Sequence, residues 1–492
     1  MKFERQSLVR TVKVSVIVSL LLMSFLAGYI FASPSFTAPD IYLDSLPSTA
    51  SYVIDTDGTY IWAVRYDGKI ACNGTDASTV IQAAIDALST SGGKVIIKSG
   101  IYEINQSILV NTDSITIEGE SFGEYQWGEN LIELGVILRA TQSLNGGIII
   151  ANPTESMNEG KSIYIVIAIR NLIFDGNNKI NTDGLVLHLP RYATVSNIVN
   201  ARCRDGLVIY GGGRCRFDAI LSNFNTNYAL RVERSQITDN AAFEFTFNKS
   251  FFIASYIGAY INFANMNGGV GKFTFNDCHF ESNKRQGAYF RNMLYLNMYN
   301  CLFEENNQDL DGNTAGLDYA PNVGYGVSRI YLHDTRFIET KVVWGVKIGY
   351  TTYGSIENCY IDSGTTSLGF YNSNNFLLKN NVFMKSIMLH TCNKFNLIAN
   401  TKVGNWTFTA VTNISFKGNY DYITESSGTA TISASTSVVF AHGLVGTPTH
   451  VAVGFKTTGY GSWIWSADAT NITITVAVSG TYDLTWDAEY TP

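Results

Sequence analysis

The chain has 492 residues, more than one compact domain usually holds, so at least two structured parts are expected. Only 15 % of the residues are charged against 46 % apolar, and the formal net charge is −7. That balance argues against nucleic acid or an anionic membrane surface as the main partner, while leaving room for a locally basic groove.

Lys2, Arg5, Arg10 and Lys13 precede an uncharged, largely apolar run from Val14 to Ala32. Residues 1–36 therefore read as either a cleaved signal peptide or an N-terminal membrane anchor, and both place the body of the protein outside the cell. The membrane is expected to be touched only through this segment. Six Asn-x-Ser/Thr sequons, at Asn73, Asn105, Asn248, Asn405, Asn413 and Asn471, agree with export to a glycosylating compartment. In residues 37–72, Asp57-Gly58 and Asp67-Gly68 sit among strand formers and predict a short antiparallel element.

From Asp76 to Leu88 the apolar residues Val80, Ile81, Ala84, Ile85 and Leu88 fall at helical spacing, with Asp76 or Ser78 as cap and Gly92-Gly93 as stop. Beyond it the chain repeats. Segments such as Gly184-Leu-Val-Leu-His188 and Gly206-Leu-Val-Ile-Tyr210 recur, and Gly258, Gly287, Gly316 and Gly345 are evenly spaced. A second motif, apolar-x-Asn/Asp-small-x-apolar, runs in phase through Asn171, Asp277, Asn300, Asp334, Asn358 and Asn380. Asn and Asp tolerate the left-handed backbone that a sharp bend between strands demands. Each period reads as strand, bend, strand, turn, strand, and stacking such units predicts a parallel β-helix, right-handed because parallel crossovers prefer that hand. Cys278, Cys301 and Cys359 hold the same place in the repeat and are expected as buried, reduced thiols.

The stretch "GTDASTVIQAAIDALSTSGGKVIIKSGIYEI", with "ITIEGES" and "IRNLIFDGN" after it, resembles the pectate-lyase-like superfamily of right-handed β-helices from about residue 73 to 420. The resemblance implies a helix laid across the first turn of the coil. It does not fix a chemistry, since the superfamily includes lyases, hydrolases, epimerases, viral tailspikes and non-catalytic surface proteins. After Glu425, runs at Thr436–Phe440, His450–Phe455, Ser462–Trp465, Ile472–Val478 and Tyr482–Trp486 predict five short strands. The expected fold class is thus all-β: a right-handed parallel β-helix over residues 73–425 with an N-terminal capping helix, and a small C-terminal antiparallel β-sandwich over 426–492. Trp463, Trp465 and Trp486 of the latter are read as core more readily than as sugar platforms.

Alternation along each repeated strand places one set of side chains outward. On this reading His188, Tyr210, Arg231, Glu233, Tyr260, Tyr289, Arg291, Asp318, Lys347 and Tyr371 line one sheet face. Aromatic rings and charges in a row suit an extended polysaccharide, the rings meeting sugar faces and the cations meeting uronate carboxylates. Asp309-x-Asp311-x-Asn313 has calcium-loop spacing, but Thr314 stands where such a loop needs glycine. No cofactor is otherwise expected.

Asn181-Thr182-Asp183-Gly184 resembles the NTD motif of polygalacturonase-type hydrolases, with Asp205 where that family carries a paired aspartate. The resemblance implies Asp183 and Asp205 as catalytic carboxylates. Arg204, however, replaces the family's general acid, and its Gly-His-Gly and Arg-x-Lys motifs are missing. Three readings remain: a glycan-binding surface protein, a lyase or hydrolase of acidic glycans, and a tailspike-like or filament subunit that forms homo-oligomers.

Overall fold

The structure is a computed structural model that describes residues 50–89, 91–121, 134–151, 165–235, 244–263, 271–307, 315–321, 328–339, 342–402, 405–417, 419 and 424–490. The apolar run Val14–Ala32 and the Asp309–Asn313 segment lie outside them. No helix of the described residues is long and apolar enough to cross a membrane.

Both hairpin signals form. Tyr52–Thr56 pairs antiparallel with Ile61–Arg65, and that strand with Ile70–Gly74. The first strand also pairs in parallel with Gly93–Ile97, so the antiparallel element is stitched into the first rung. Helix α1, Ala77–Asp86, is capped by the Asp76 carboxylate, which accepts from the amides of Ser78 and Thr79. Its apolar face, Val80, Ile81, Ala84 and Ile85, closes the end of the coil core.

From there the chain winds as a right-handed parallel β-helix. One sheet has 12 strands in a single ladder, and the strands on the other sides join into a sheet of 25. The bend expected at every Asn or Asp is present: Asn171, Asp277, Asn300, Asp334, Asn358 and Asn380 all have φ between 50° and 60°. Their amides bond from rung to rung, as in Asn300 Nδ2 to Asp277 Oδ1 at 2.7 Å.

Inside the coil, like stacks on like. Phe217, Phe247 and Phe275 stack at 4.7 and 5.0 Å, and Phe280, Phe303 and Phe337 at 4.5 and 4.6 Å. Cys278, Cys301 and Cys359 are free and buried. Cys278 and Cys359 donate to carbonyls two residues back, Asn276 and Glu357, as the hydroxyls of Ser250 and Thr335 do one rung away. Burial pushes the Cys359 thiol up to about 12.

The C-terminal region forms four strands, two of them long: Glu425–Ala441, His450–Phe455, Trp463–Ala467 and Asn471–Glu489. The runs expected as separate strands at Ile472–Val478 and Tyr482–Trp486 are one continuous strand, because Glu425–Ala441 pairs with both halves across an irregular register near Ser435. The sheet folds on itself, and Phe440 of one half stacks on Trp486 of the other at 4.9 Å. Trp486 is therefore core, 6 % exposed, and Trp463 packs against the same cluster.

Gly258 and Gly287 stack one above the other because the strands pair Ala259 with Ala288. A Cβ on Gly258 would lie 2.4 Å from the Gly287 carbonyl oxygen and 2.7 Å from Asn283 Nδ2. Gly258→Ala is therefore expected to lower stability by about 1–3 kcal/mol in urea unfolding. Gly349→Ala, where the nearest atom is 3.7 Å away, should change it by about half a kcal/mol or less.

Candidate functional site

The outer face of the 12-stranded sheet carries two columns set by the parallel register. One runs Val186, Val208, Arg231, Tyr260, Tyr289, Asp318, Lys347, Gly369, Met388. The other contains His188, Tyr210, Glu233, Asn262, Arg291 and, further along, Tyr371 and His390. Every outward position expected from alternation falls in one of them. Nine strands at the usual spacing give a face roughly 40 Å long.

A third column was not legible in the alternation. The strand bends at the repeat's glycine: Gly184 faces inward, where a Cβ would meet Asn200 Oδ1 at 2.3 Å. The residue before that glycine is thereby turned to the outer face. It is Asp183, then Asp205 and Tyr228 on the next rungs, and Trp344 near the far end. Trp344 lies over the bare backbone of Gly369, whose Cβ would sit 2.6 Å from its ring.

At the N-terminal end the charges interlock. Arg204 grips Asp183 with both nitrogens, Nε to Oδ1 at 2.8 Å and an Nη to Oδ2 at 2.5 Å. Arg231 donates to Asp205 Oδ2 at 3.0 Å and to Glu233 at 2.6 Å, and lies 5.7 Å over the Tyr210 ring. His188 stacks on Tyr210 at 4.8 Å. Burial, and then repulsion from Asp183, hold the Asp205 carboxyl above its ordinary range, and Arg231 opposes them. Burial also lowers His188, which favours its neutral form. Asp183, His188, Arg204 and Tyr210 line a cavity of about 310 Å³, floored by Gly146, Gly147 and Ile150.

Mid-face, Tyr228, Tyr260 and Tyr289 stack on one another at 4.6 and 5.5 Å. Arg291 caps the stack 4.0 Å above Tyr289 and bonds Asp318 at 2.7 Å. The ring faces are thus used up within the protein, and what this stack offers a ligand is hydroxyls and ring edges. That differs from the open platforms expected, because rings in register a strand spacing apart satisfy each other first. Asn262 donates to the Tyr260 hydroxyl at 2.8 Å and fixes its direction. Arg204, Arg231, Arg291 and Lys347 face Asp183, Asp205, Glu233 and Asp318, so the face is close to neutral. Among the described residues Lys347 alone of these cations has no carboxylate partner; it sits 6.0 Å from the Tyr371 ring. No group of His, Cys, Asp and Glu among the described residues is arranged to hold a metal ion.

No family model and no curated protein matches the chain. Among solved structures it is similar to the A-module of the mannuronan C-5 epimerase AlgE4 of Azotobacter vinelandii, at 13 % identity and a TM-score of 0.46, over 70 % of this chain and 94 % of that one. It is also similar to the gp54 tailspike of Acinetobacter baumannii bacteriophage AP22, solved in complex with A. baumannii capsular saccharide (9 % identity, TM-score 0.45, 84 % and 93 % covered). A third is the tailspike gp49 of A. baumannii bacteriophage Fri1, a capsular polysaccharide depolymerase (11 % identity, TM-score 0.42, 84 % and 82 % covered). Likenesses at this level carry nothing about the chemistry, which rests on this chain's own side chains.

Asp205 is fully buried, and Arg231 is its nearest cation at 3.0 Å. Arg231→Ala is expected to cost about 3 kcal/mol by removing the nearer of that buried carboxylate's two guanidinium partners, with Arg204 left 3.8 Å away. Adding Asp205→Asn should restore most of the loss, read by urea unfolding at pH 7.

Proposed function

We propose that this chain is an exported protein, secreted or held at the cell surface, that binds an extended polysaccharide along the outer face of its 12-stranded sheet. The single observation that carries the reading is that every rung of that face from His188 to His390 presents at least one polar or aromatic side chain, with Asp183, Arg204 and Tyr228 beside them. A linear ligand lying along the coil meets at least one hydrogen-bonding side chain at every rung, and two on the rungs of Arg231, Tyr260 and Tyr289. Because the face is nearly charge-balanced, it suits a neutral or sparsely charged glycan, with Lys347 as the place where an acid group is accepted. The leader-like run Val14–Ala32 supports export.

Catalysis by the two aspartates has less support. Inverting hydrolysis needs one carboxylic acid that gives up a proton and one base that activates water. Both Asp183 carboxylate oxygens are taken up by the Arg204 guanidinium, and Asp205 lies beneath the surface behind Arg231.

A panel of purified polysaccharides screened by calorimetry tests the proposal, with release of reducing ends and ultraviolet absorbance of unsaturated uronates followed in parallel. The expected outcome is a bound glycan without turnover. Removing the hydroxyl row with Tyr260→Phe and Tyr289→Ala together should weaken that glycan about thirtyfold, since each lost hydrogen bond is worth roughly 1 kcal/mol. A ligand whose affinity ignores both changes would move the binding site off this face. Turnover that Asp183→Asn abolishes while binding persists would make the protein an enzyme.

A further inference from the structure

A second file of side chains runs along the corner where the 12-stranded sheet passes into the 25-stranded one, just ahead of the Thr194–Ala201 strand and its stacked equivalents. Register places Tyr192, Arg214, Glu244, Lys272, Tyr295, Arg329 and Tyr353 on successive rungs of this corner. Tyr192 is 51 % exposed, Tyr353 43 %, and the Lys272 side chain 49 %.

The charge here is not balanced as it is on the main face. Arg214 and Arg329 have no carboxylate within ion-pair reach among the described residues. Arg214 instead donates to the Tyr192 hydroxyl at 2.7 Å. Arg329 lies 5.5 Å from the Tyr295 ring and 6.0 Å from the Tyr353 ring. Glu244 is the strip's one acid, 3.7 Å from Lys272. Arg191, Arg214, Glu244, Lys272 and Tyr295 surround a cavity of about 530 Å³ whose wall includes the bare backbone of Gly212, Gly213 and Gly271. In a chain with a formal charge of −7, a local excess of cations around an open cavity is a binding feature that stability does not require.

We infer that this corner strip is a second binding site, independent of the main face, for an acidic polysaccharide carrying carboxylate or sulfate groups. Arg214, Lys272 and Arg329 lie two rungs apart, roughly 10 Å at the usual strand spacing. A pyranose in an extended chain advances about one rung, so the cations meet acid groups on alternate sugars. Nucleic acid fits less well. Single strands bind chiefly by stacking bases on open aromatic faces, and the strip's rings already carry guanidiniums: Arg191 and Arg214 on Tyr192, and Arg329 on Tyr295 and Tyr353.

The test uses the whole chain with three probes: oligogalacturonate for carboxylates, dextran sulfate for sulfates, and oligothymidylate for nucleic acid. At low salt at least one acidic saccharide should bind and oligothymidylate should bind more weakly. The triple change Arg214→Gln, Lys272→Gln, Arg329→Gln should weaken the bound saccharide at least tenfold, while circular dichroism and any neutral glycan on the main face are unaffected. Raising sodium chloride from 50 to 500 mM should give a loss of similar size in the unchanged protein, an arm that needs no variant. Failure of both acidic probes to bind, affinity indifferent to the triple change or to salt, or tighter binding of oligothymidylate would overturn the inference. Loss of acidic binding in Tyr289→Ala would overturn it too, by assigning that ligand to the main face, whereas absence of any neutral ligand would count against the main-face reading alone.

Discussion

The coil depends on one backbone constraint, a left-handed residue at the same point of ten successive turns. The corner that divides the 25-stranded sheet passes through Asn171, Asn197, Ala219, Lys249, Asp277, Asn300, Asp334, Asn358, Asn380 and Ala399, each with φ between 47° and 60°. Because all bend alike, each strand lies over its equivalent in the previous turn, and a side chain's neighbours are its own counterparts a strand spacing away. The stacked phenylalanines, the small hydroxyl and thiol column, and the files of the outer face follow from that register. Asparagine and aspartate reduce the cost of the left-handed state and bond the next amide in the column, whereas Ala219, Lys249 and Ala399 adopt it because the rungs on either side already have.

The same constraint explains how much of the fold was legible. Wherever a turn keeps Asn or Asp at the bend and a small residue before the outward pair, the period shows in the letters, which is why the column Asn171 to Asn380 and the glycines Gly258 to Gly345 were found. The bends at Ala219, Lys249 and Ala399 carry no such letter and are fixed only by their neighbours. In the C-terminal sheet, local alternation marked Ile472–Val478 and Tyr482–Trp486 as separate strands. Their union into one strand depends on a partner, Glu425–Ala441, far away in sequence.

The site was legible one side chain at a time but not as pairs. Alternation identified Arg231, Tyr260, Tyr289 and Arg291 as outward. It did not reveal that Arg231 is held by Asp205 or that Tyr289 is covered by Tyr260, since these partners sit one rung away across segments of unequal length, nor that Arg291, two residues on in the same strand, folds back over the Tyr289 ring. Tyr228 and Trp344 escaped for a different reason: the bend at the repeat's glycine breaks the alternation, so the residue before it faces outward against the simple rule. The corner strip escaped because its members, from Tyr192 to Tyr353, follow turns whose lengths differ from rung to rung.

The account stands on the outer face of the 12-stranded sheet being where a glycan lies. A crystal structure of the chain with the tightest-binding neutral oligosaccharide from the polysaccharide panel tests this most directly. The sugar chain is predicted to run along the coil axis, with its hydroxyls on Tyr260 and Tyr289 and its end near Lys347. Density for that oligosaccharide on the C-terminal sheet beside Trp465, with the 12-stranded face left bare, would contradict it.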